Sequence, residues 1–248
     1  MRVITIAASE VAAAIGSNPY KTPEQYLDTL LRKYRGDISE EAEIIQQLGL
    51  TEVVNNLTNR TYTHMNPNDL KKLQNETIIE QFFDANEQFE EGKRRTLLKE
   101  TVLQSITNKK FGTDKEDSVQ LLHSTQGSVI SKDETFYKLT ITNVGDTRFQ
   151  IVGRIDRLET TAQGERTIIE IKNRVHRLFK NLREYEKIQC LVYLQLVPNV
   201  SNCRLIENYD ATTHEELISK NDLQEYWQSD VMPKLEEFCK RVHASFVP

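Results

Sequence analysis

Asp156, Glu170 and Lys172 place charge in two stretches, 149–159 and 166–172, that otherwise read as strands of apolar and β-branched residues. Side chains alternate along a strand, so Ile168, Glu170 and Lys172 share one face and Thr167, Ile169 and Ile171 the other. Two residues along a strand advance ~6.7 Å, which puts a carboxylate and an ammonium within reach of one small ligand. The same alternation groups Val152, Arg154, Asp156 and Leu158. If the two strands pair antiparallel through the turn at Gly164, Asp156 meets Glu170 across the ladder. Two carboxylates brought together repel, so one takes a proton or both share a metal. Oxygen ligands of this kind suit Mg²⁺, with Mn²⁺ as substitute. With Lys172 beside them to donate a proton or orient a water, the chemistry that fits is metal-assisted hydrolysis of a phosphodiester. A salt-bridged, half-exposed hairpin is the plainer alternative for the same three residues.

The elements that must position these groups follow from pattern. Ser9 is an N-cap residue type ahead of a short helix ending at Gly16-Ser17-Asn18-Pro19, and Thr22-Pro23-Glu24 starts another with Tyr26, Leu27, Leu30 and Leu31 at helical spacing. From 38 to about 111 the sequence is polar and helical, with loop signals at 55–67 and no repeat period. After Gly112 the pattern turns to strands at 135–142, 149–159 and 166–172, a three-stranded meander. A helix at 182–196 ended by Pro198, a strand at 203–209 and an amphipathic helix at 223–242, bent or restarted at Pro233, complete the chain. The class is α/β (α+β), a central mixed sheet flanked by helices, in a single domain over 1–248 with a helical insertion at 38–91.

Composition narrows the partners. The 248 residues carry a net charge of −5, which argues against coating nucleic acid by bulk electrostatics. Locally the balance reverses: between Ile171 and Lys187 stand Lys172, Arg174, Arg177, Lys180, Arg183 and Lys187 against Glu184 and Glu186 alone. Lys93-Arg94-Arg95 is a second basic knot. Cys190, Cys203 and Cys239 are odd in number and have no CxxC pair, so three reduced thiols are expected rather than a disulfide framework or zinc site. The apolar stretch after Arg2 is too short for a signal peptide and no run would span a bilayer, so the protein is expected to be soluble, intracellular and without a membrane partner.

Asp156, the thirteen residues to Glu170, and Glu170-Ile171-Lys172 resemble the core of the PD-(D/E)XK nucleases, with Arg154-Ile155 where that family often has a Pro. Gln189-x-x-x-Tyr193 resembles the signature of its exonuclease branch, both residues lying on one helix face. The N-terminal string Arg2 to Val11, with Gly16-Ser17-Asn18-Pro19-Tyr20, is similar to the start of the lambda-exonuclease and YqaJ-type viral recombinase nucleases, relatives of viral alkaline nucleases. The resemblance implies a restriction-endonuclease-like core and a Mg²⁺-dependent 5′→3′ exonuclease on double-stranded DNA ends, in viral recombination, repair or replication. It implies Asp156, Glu170 and the Ile171 carbonyl as metal ligands, Lys172 assisting the water, Gln189 orienting Lys172 or a phosphate, and Arg2 with Ser9 as a 5′-phosphate pocket. Arg174, Arg177, Lys180 and Arg183 would then contact the DNA backbone. A ring-shaped homo-oligomer, a trimer in the lambda relatives, and a single-strand annealing protein are the implied partners. Where the family places a Glu four residues after Gly92 this chain has Thr96, so Glu100, one turn on, is the candidate distal ligand. An endonuclease or structure-specific nickase on the same core, and a catalytically inactive DNA-binding or assembly module, are the competing readings.

Overall fold

The computed structural model describes residues 1–81, 89–116 and 127–246, with the backbone alone over 78–81 and 89–96. Strand β1 (Arg2–Ala7) leads through a 3-10 turn, Ala8–Glu10, into helix α1 (Val11–Ala14) and then α2 (Pro23–Arg35). Helices α3 (Glu40–Gln47), α4 (Thr51–Thr58), α5 (Pro67–Gln81) and α6 (Phe89–Lys115) make up the helical region, and the expected boundary at 91 falls inside α6. Strands β2 (Val129–Lys132), β3 (Tyr137–Val144), β4 (Thr147–Gly153), β5 (Arg157–Thr160) and β6 (Arg166–Asn173) precede α7 (Glu184–Leu196). Strands β7 (Asn202–Tyr209) and β8 (Thr212–Ser219), then α8 (Lys220–Tyr226) and α9 (Met232–Ala244), close the chain. The result is a mixed α/β architecture with helices flanking two mixed sheets. None of the helices, among the described residues, is long and apolar enough to cross a membrane.

The strands do not form the expected continuous meander. One sheet runs β1-β4-β3 and the other β2-β5-β6-β7-β8. The stretch read as one strand over 149–159 is broken at Arg154-Ile155-Asp156, with β4 in the first sheet and β5 in the second. The reason lies in local packing. A Cβ on Gly153 would stand 3.0 Å from the Ala8 Cβ and from Tyr193 Cε1, so the chain squeezes between the end of β1 and α7 with no room for a side chain. Ile155 is then drawn into the core, and the Asp156 carboxylate accepts the Ile171 N–H at 2.7 Å where the β5–β6 ladder ends.

β6 is central, paired antiparallel to β5 and parallel to β7. Residues 168–171 are buried because both faces are covered. Ile168 belongs to the main core with Ile4, Ile6, Phe149 and Phe238, while Ile169 and Ile171 pack with Ile206 on the opposite face. The parallel β6–β7 pair requires a crossover, supplied by α7, which touches β3, β4, β6, β7 and β8 and is buried nearly all round. Cys190, Cys203 and Cys239 are buried and unbonded.

α2 begins as its sequence predicts, with a capping box between Thr22 and Gln25 and Pro23 in its first turn. Ser9 differs: its side chain makes no cap, because β1 runs straight into the 3-10 turn. At the other end α8 and α9 are joined by a π-helical stretch, Trp227–Val231. Leu223, Trp227, Val231 and Leu235 recur every four residues, wider than the 3.6 of an α-helix. The π turn takes up that excess and keeps all four facing the core, and it also accommodates Pro233 in the first turn of α9.

Gly153→Ala tests the tight crossing. The added methyl meets the Ala8 Cβ, which moves only with its backbone, and the packed Tyr193 and Leu196 side chains, so the variant is expected to lose about 1–3 kcal/mol, read as a lower midpoint in thermal or urea melts.

Candidate active site

The side chains that sequence spacing singled out meet between β6 and α7. Glu170 Oε1 accepts from Lys172 Nζ at 2.7 Å and from Gln189 Nε2 at 2.8 Å. Lys172 Nζ also donates to Gln189 Oε1 at 3.1 Å, and Gln189 Nε2 donates to the Tyr193 hydroxyl at 3.0 Å. One amide therefore fixes an acid, a base and a phenol at once, because Gln189 and Tyr193 lie one turn apart on the face of α7 that covers Ile168 and Glu170. The register pairs Arg157 with Ile169, so Asp156, one residue before β5, stands opposite Glu170.

Burial dominates the electrostatics. It raises Glu170 to about 7, with Asp156 adding to the rise and Lys172 opposing it. Asp156 is also raised, first by burial and then by the charge of Glu116, against the pull of the Ile171 N–H. For Lys172 burial works against the charge, but the Glu170 carboxylate outweighs it and the ammonium is held firmly protonated. The second Glu170 oxygen, Oε2, is buried and accepts no hydrogen bond. An acid that keeps one oxygen dry and unpartnered beside a second carboxylate is short of a cation. Asp156, Glu170 Oε2 and the Ile171 carbonyl are the hard oxygen donors at that place, and they fit a small divalent ion. Among the described residues no group of three or more His, Cys, Asp or Glu gathers as a ready metal cluster. Two carboxylates and a carbonyl leave remaining positions to water or phosphate, as Mg²⁺ prefers.

Glu116 is the acid that sequence reasoning missed. It sits just past the end of α6, where its carbonyl accepts from Arg157 Nη2 at 3.0 Å and where the Gly112 carbonyl accepts from Asn173 Nδ2 at 2.9 Å. Nothing in its spacing announces it; only the docking of the C-terminal end of α6 on β5 and β6 brings it near Asp156. Glu100, the expected distal ligand, lies twelve residues before Gly112 on the same helix, ~18 Å away along its axis. Its carboxylate accepts from Gln104 instead. Gly92, Lys93, Arg94, Arg95 and Thr96 fall where only the backbone is described.

The expected phosphate pocket is not assembled. Arg2 and Ser9 flank opposite ends of β1, which alone spans ~17 Å from Arg2 to Ala7. The Arg2 guanidinium lies over the Phe246 ring, 4.5 Å from its centroid, whereas Ser9 is exposed beside the end of β4. Arg174 is corrected as well. Its half-buried guanidinium is held between Glu186 at 2.8 Å and Glu207 at 2.7 Å. Arg177 and Lys180 are exposed and Arg183 is half-buried. The two acid partners of Arg174 had a sequence signal: Glu186 precedes Gln189 by three residues on one helix face, and Glu207 directly follows the apolar pair Leu205-Ile206.

A family model for the PD-(D/E)XK nuclease superfamily matches residues 57–205, more than half of the chain and all of Asp156, Glu170, Lys172 and Gln189. The chain belongs to that superfamily. It is thus a metal-dependent nuclease of restriction-endonuclease-like fold, acting on DNA by hydrolysis. None of the curated proteins matches the sequence. Among solved structures, one titled "Crystal structure of SSO0001" aligns over 71% of this chain and 86% of its own, at 16% identity and a TM-score of 0.40.

The raised Glu170 makes stability depend on pH when metal is absent. A carboxyl that titrates near 7 when folded and near 4.5 when unfolded favours the folded state below pH 4.5 and loses that contribution as pH rises towards 7. In EDTA, wild type is expected to lose about 3 kcal/mol over that interval relative to Glu170→Gln, measured by urea melts at stepped pH. Saturating Mg²⁺ is expected to raise the wild-type melting temperature at pH 8 and leave Glu170→Gln unmoved.

Proposed function

We propose that this PD-(D/E)XK nuclease hydrolyses DNA phosphodiesters with Mg²⁺ held by Asp156, Glu170 and the Ile171 carbonyl, Mn²⁺ serving as substitute. The orphaned, buried Glu170 Oε2 opposite Asp156 is the observation that carries this reading. A divalent ion there supplies a Lewis acid that acidifies water and neutralises charge on the phosphate. Lys172, protonated and hydrogen-bonded to both Glu170 and Gln189, orients the attacking water and steadies the negative charge that builds on the phosphoryl oxygens. Gln189 is a positioning residue, since it touches Lys172 and Glu170. Glu116, whose charge raises Asp156, would be the nearby further carboxylate.

Acting from DNA ends, with 5′→3′ polarity on duplex substrates, is the cleavage mode that the resemblance implies, and the Gln189-x-x-x-Tyr193 pair, whose two side chains bond to each other beside Glu170, supports the exonuclease part of it. The exposed cations Arg177 and Lys180, with Arg183, serve the phosphate backbone without reading sequence. One observation favours the endonuclease reading: Arg2 and Ser9 stand apart, which removes the pocket that would have selected a 5′-phosphate.

A linear duplex labelled at either end, bearing 5′-phosphate or 5′-hydroxyl and digested in Mg²⁺ or EDTA, separates the two. Mononucleotides released from the 5′ end only with Mg²⁺ are the expected outcome; internal fragments would establish the endonuclease, and equal cleavage in EDTA would remove the metal. Glu170→Gln is expected to bring cleavage to background while retaining duplex binding, and Lys172→Ala to cost ~10²–10⁴-fold in rate. Arg2→Ala is expected to leave the ratio between phosphorylated and hydroxyl ends unchanged, because its guanidinium stacks on Phe246.

A further inference from the structure

Two residues beyond Lys172 the chain leaves β6 and makes the loop that carries Arg177, Lys180 and Arg183 before α7 begins. One carboxylate, from the neighbouring strand, holds this loop by both oxygens. Glu207 Oε1 accepts from Arg174 Nε at 2.7 Å, while Glu207 Oε2 accepts the backbone N–H groups of Phe179 at 3.0 Å and Lys180 at 2.9 Å. Lys180 is thereby held at a φ of +60°, a conformation that an L residue adopts rarely without such support. The Phe179 ring lies between two guanidinium groups, Arg174 at 4.3 Å and Arg183 at 4.4 Å from its centroid. Arg174 in turn donates to Glu186 in the first turn of α7.

Glu186 and Glu207 are only 1% and 2% exposed, and they share a single guanidinium. Burying two carboxylates on one cation gains little stability, since most of the attraction is offset by desolvating the charges. What the arrangement does supply is one fixed loop geometry, with the exposed charges of Arg177 and Lys180 beside the end of the strand that bears Glu170 and Lys172. Phosphate contacts made by a loop already ordered are spared the entropic cost of ordering it on binding.

We infer that Glu207 is a positioning residue for DNA: through Arg174, Phe179 and the Lys180 backbone it presets the 174–183 loop so that Arg177, Lys180 and Arg183 meet the duplex backbone next to the scissile phosphate. This rests on the nuclease reading above and assigns Glu207, Glu186 and Arg174 to substrate binding without contact with substrate. Glu207→Gln keeps the shape but loses the charge that binds Arg174.

The test is metal-free duplex binding across a salt series for wild type, Glu207→Gln, the exposed double variant Arg177→Ala/Lys180→Ala, and all three changes together, with steady-state cleavage in Mg²⁺. The double variant is expected to weaken binding about 10-fold and to flatten the salt dependence by roughly two phosphate contacts. Glu207→Gln is expected to weaken binding by a similar factor, to add little in the combined variant, and to raise KM with kcat held. Amide exchange of wild type should show Phe179 and Lys180 protected despite their exposed loop, and Glu207→Gln should release them while β6 stays protected. Wild-type affinity in Glu207→Gln, losses that add in the combined variant, or unprotected Phe179 and Lys180 amides in wild type would each overturn the inference. Should Glu207→Gln fail to fold, the exposed double variant and the wild-type exchange still decide. Wild type that neither binds nor cuts duplex would sink the parent reading, whereas wild type that does both while Glu207→Gln binds equally well would sink only this one.

Discussion

A carboxylate buried in a protein interior is tolerated only where something nearby answers its charge, and Glu170 sets that condition for the rest of this molecule. It sits on a central strand with both faces covered, where a neutral aliphatic side chain would cost nothing. Lys172 answers one oxygen, Gln189 adds a neutral donor to the same oxygen, and the other is left bare. The demand propagates outward. Gln189 must come from a helix lying flat on the strand, Tyr193 must accept its remaining proton, and the chain beneath must thin to Gly153 so that helix and sheet can approach.

The topology meets this demand with one crossover. Strands β6 and β7 run parallel, so the segment joining them passes over the sheet, and its helix lays a polar seam against the strand's own. Glu170, Lys172 and Arg174 stand in line on one side; Tyr193, Gln189 and Glu186 stand in line on the other. Glu207, paired with Lys172 in the register, closes the seam at its outer end. Catalytic chemistry and loop geometry are thus two ends of one continuous polar row rather than separate features.

Much of this was legible in the sequence, and the limits have physical causes. The alternation of Glu170 and Lys172 on β6, and the four-residue spacing of Gln189 and Tyr193, are local periodicities that survive any tertiary context. The opposition of Asp156 and Glu170 also followed from strand pairing. The break at Asp156 did not, because apolar residues continue on both sides of Gly153 and it is the approach of Ala8 and Tyr193 to that glycine that interrupts the strand. Charge counts misled for Arg174: a cation among cations reads as a surface group until its partners, far away in sequence, are placed beside it. Arg2 and Ser9 share a motif in the sequence, yet a straight strand between them turns closeness along the chain into distance in space. Glu116 escaped for the converse reason, being far from Asp156 in sequence and near it only through the docking of α6.

The polar row also determines where this chain can change length. Its partners recur every two residues on the strand and every three or four on the helix, and each period is fixed by backbone geometry. Inserting or deleting one residue between 170 and 174 would turn the rest of the tract to the opposite face of the sheet, and one between 186 and 193 would rotate the helix by about 100° out of alignment. The turn at Gly164 carries no such arithmetic, and neither do the junctions between α3, α4 and α5. Descendants of this sequence are free to grow or shrink there, while the two short tracts that face each other keep their count.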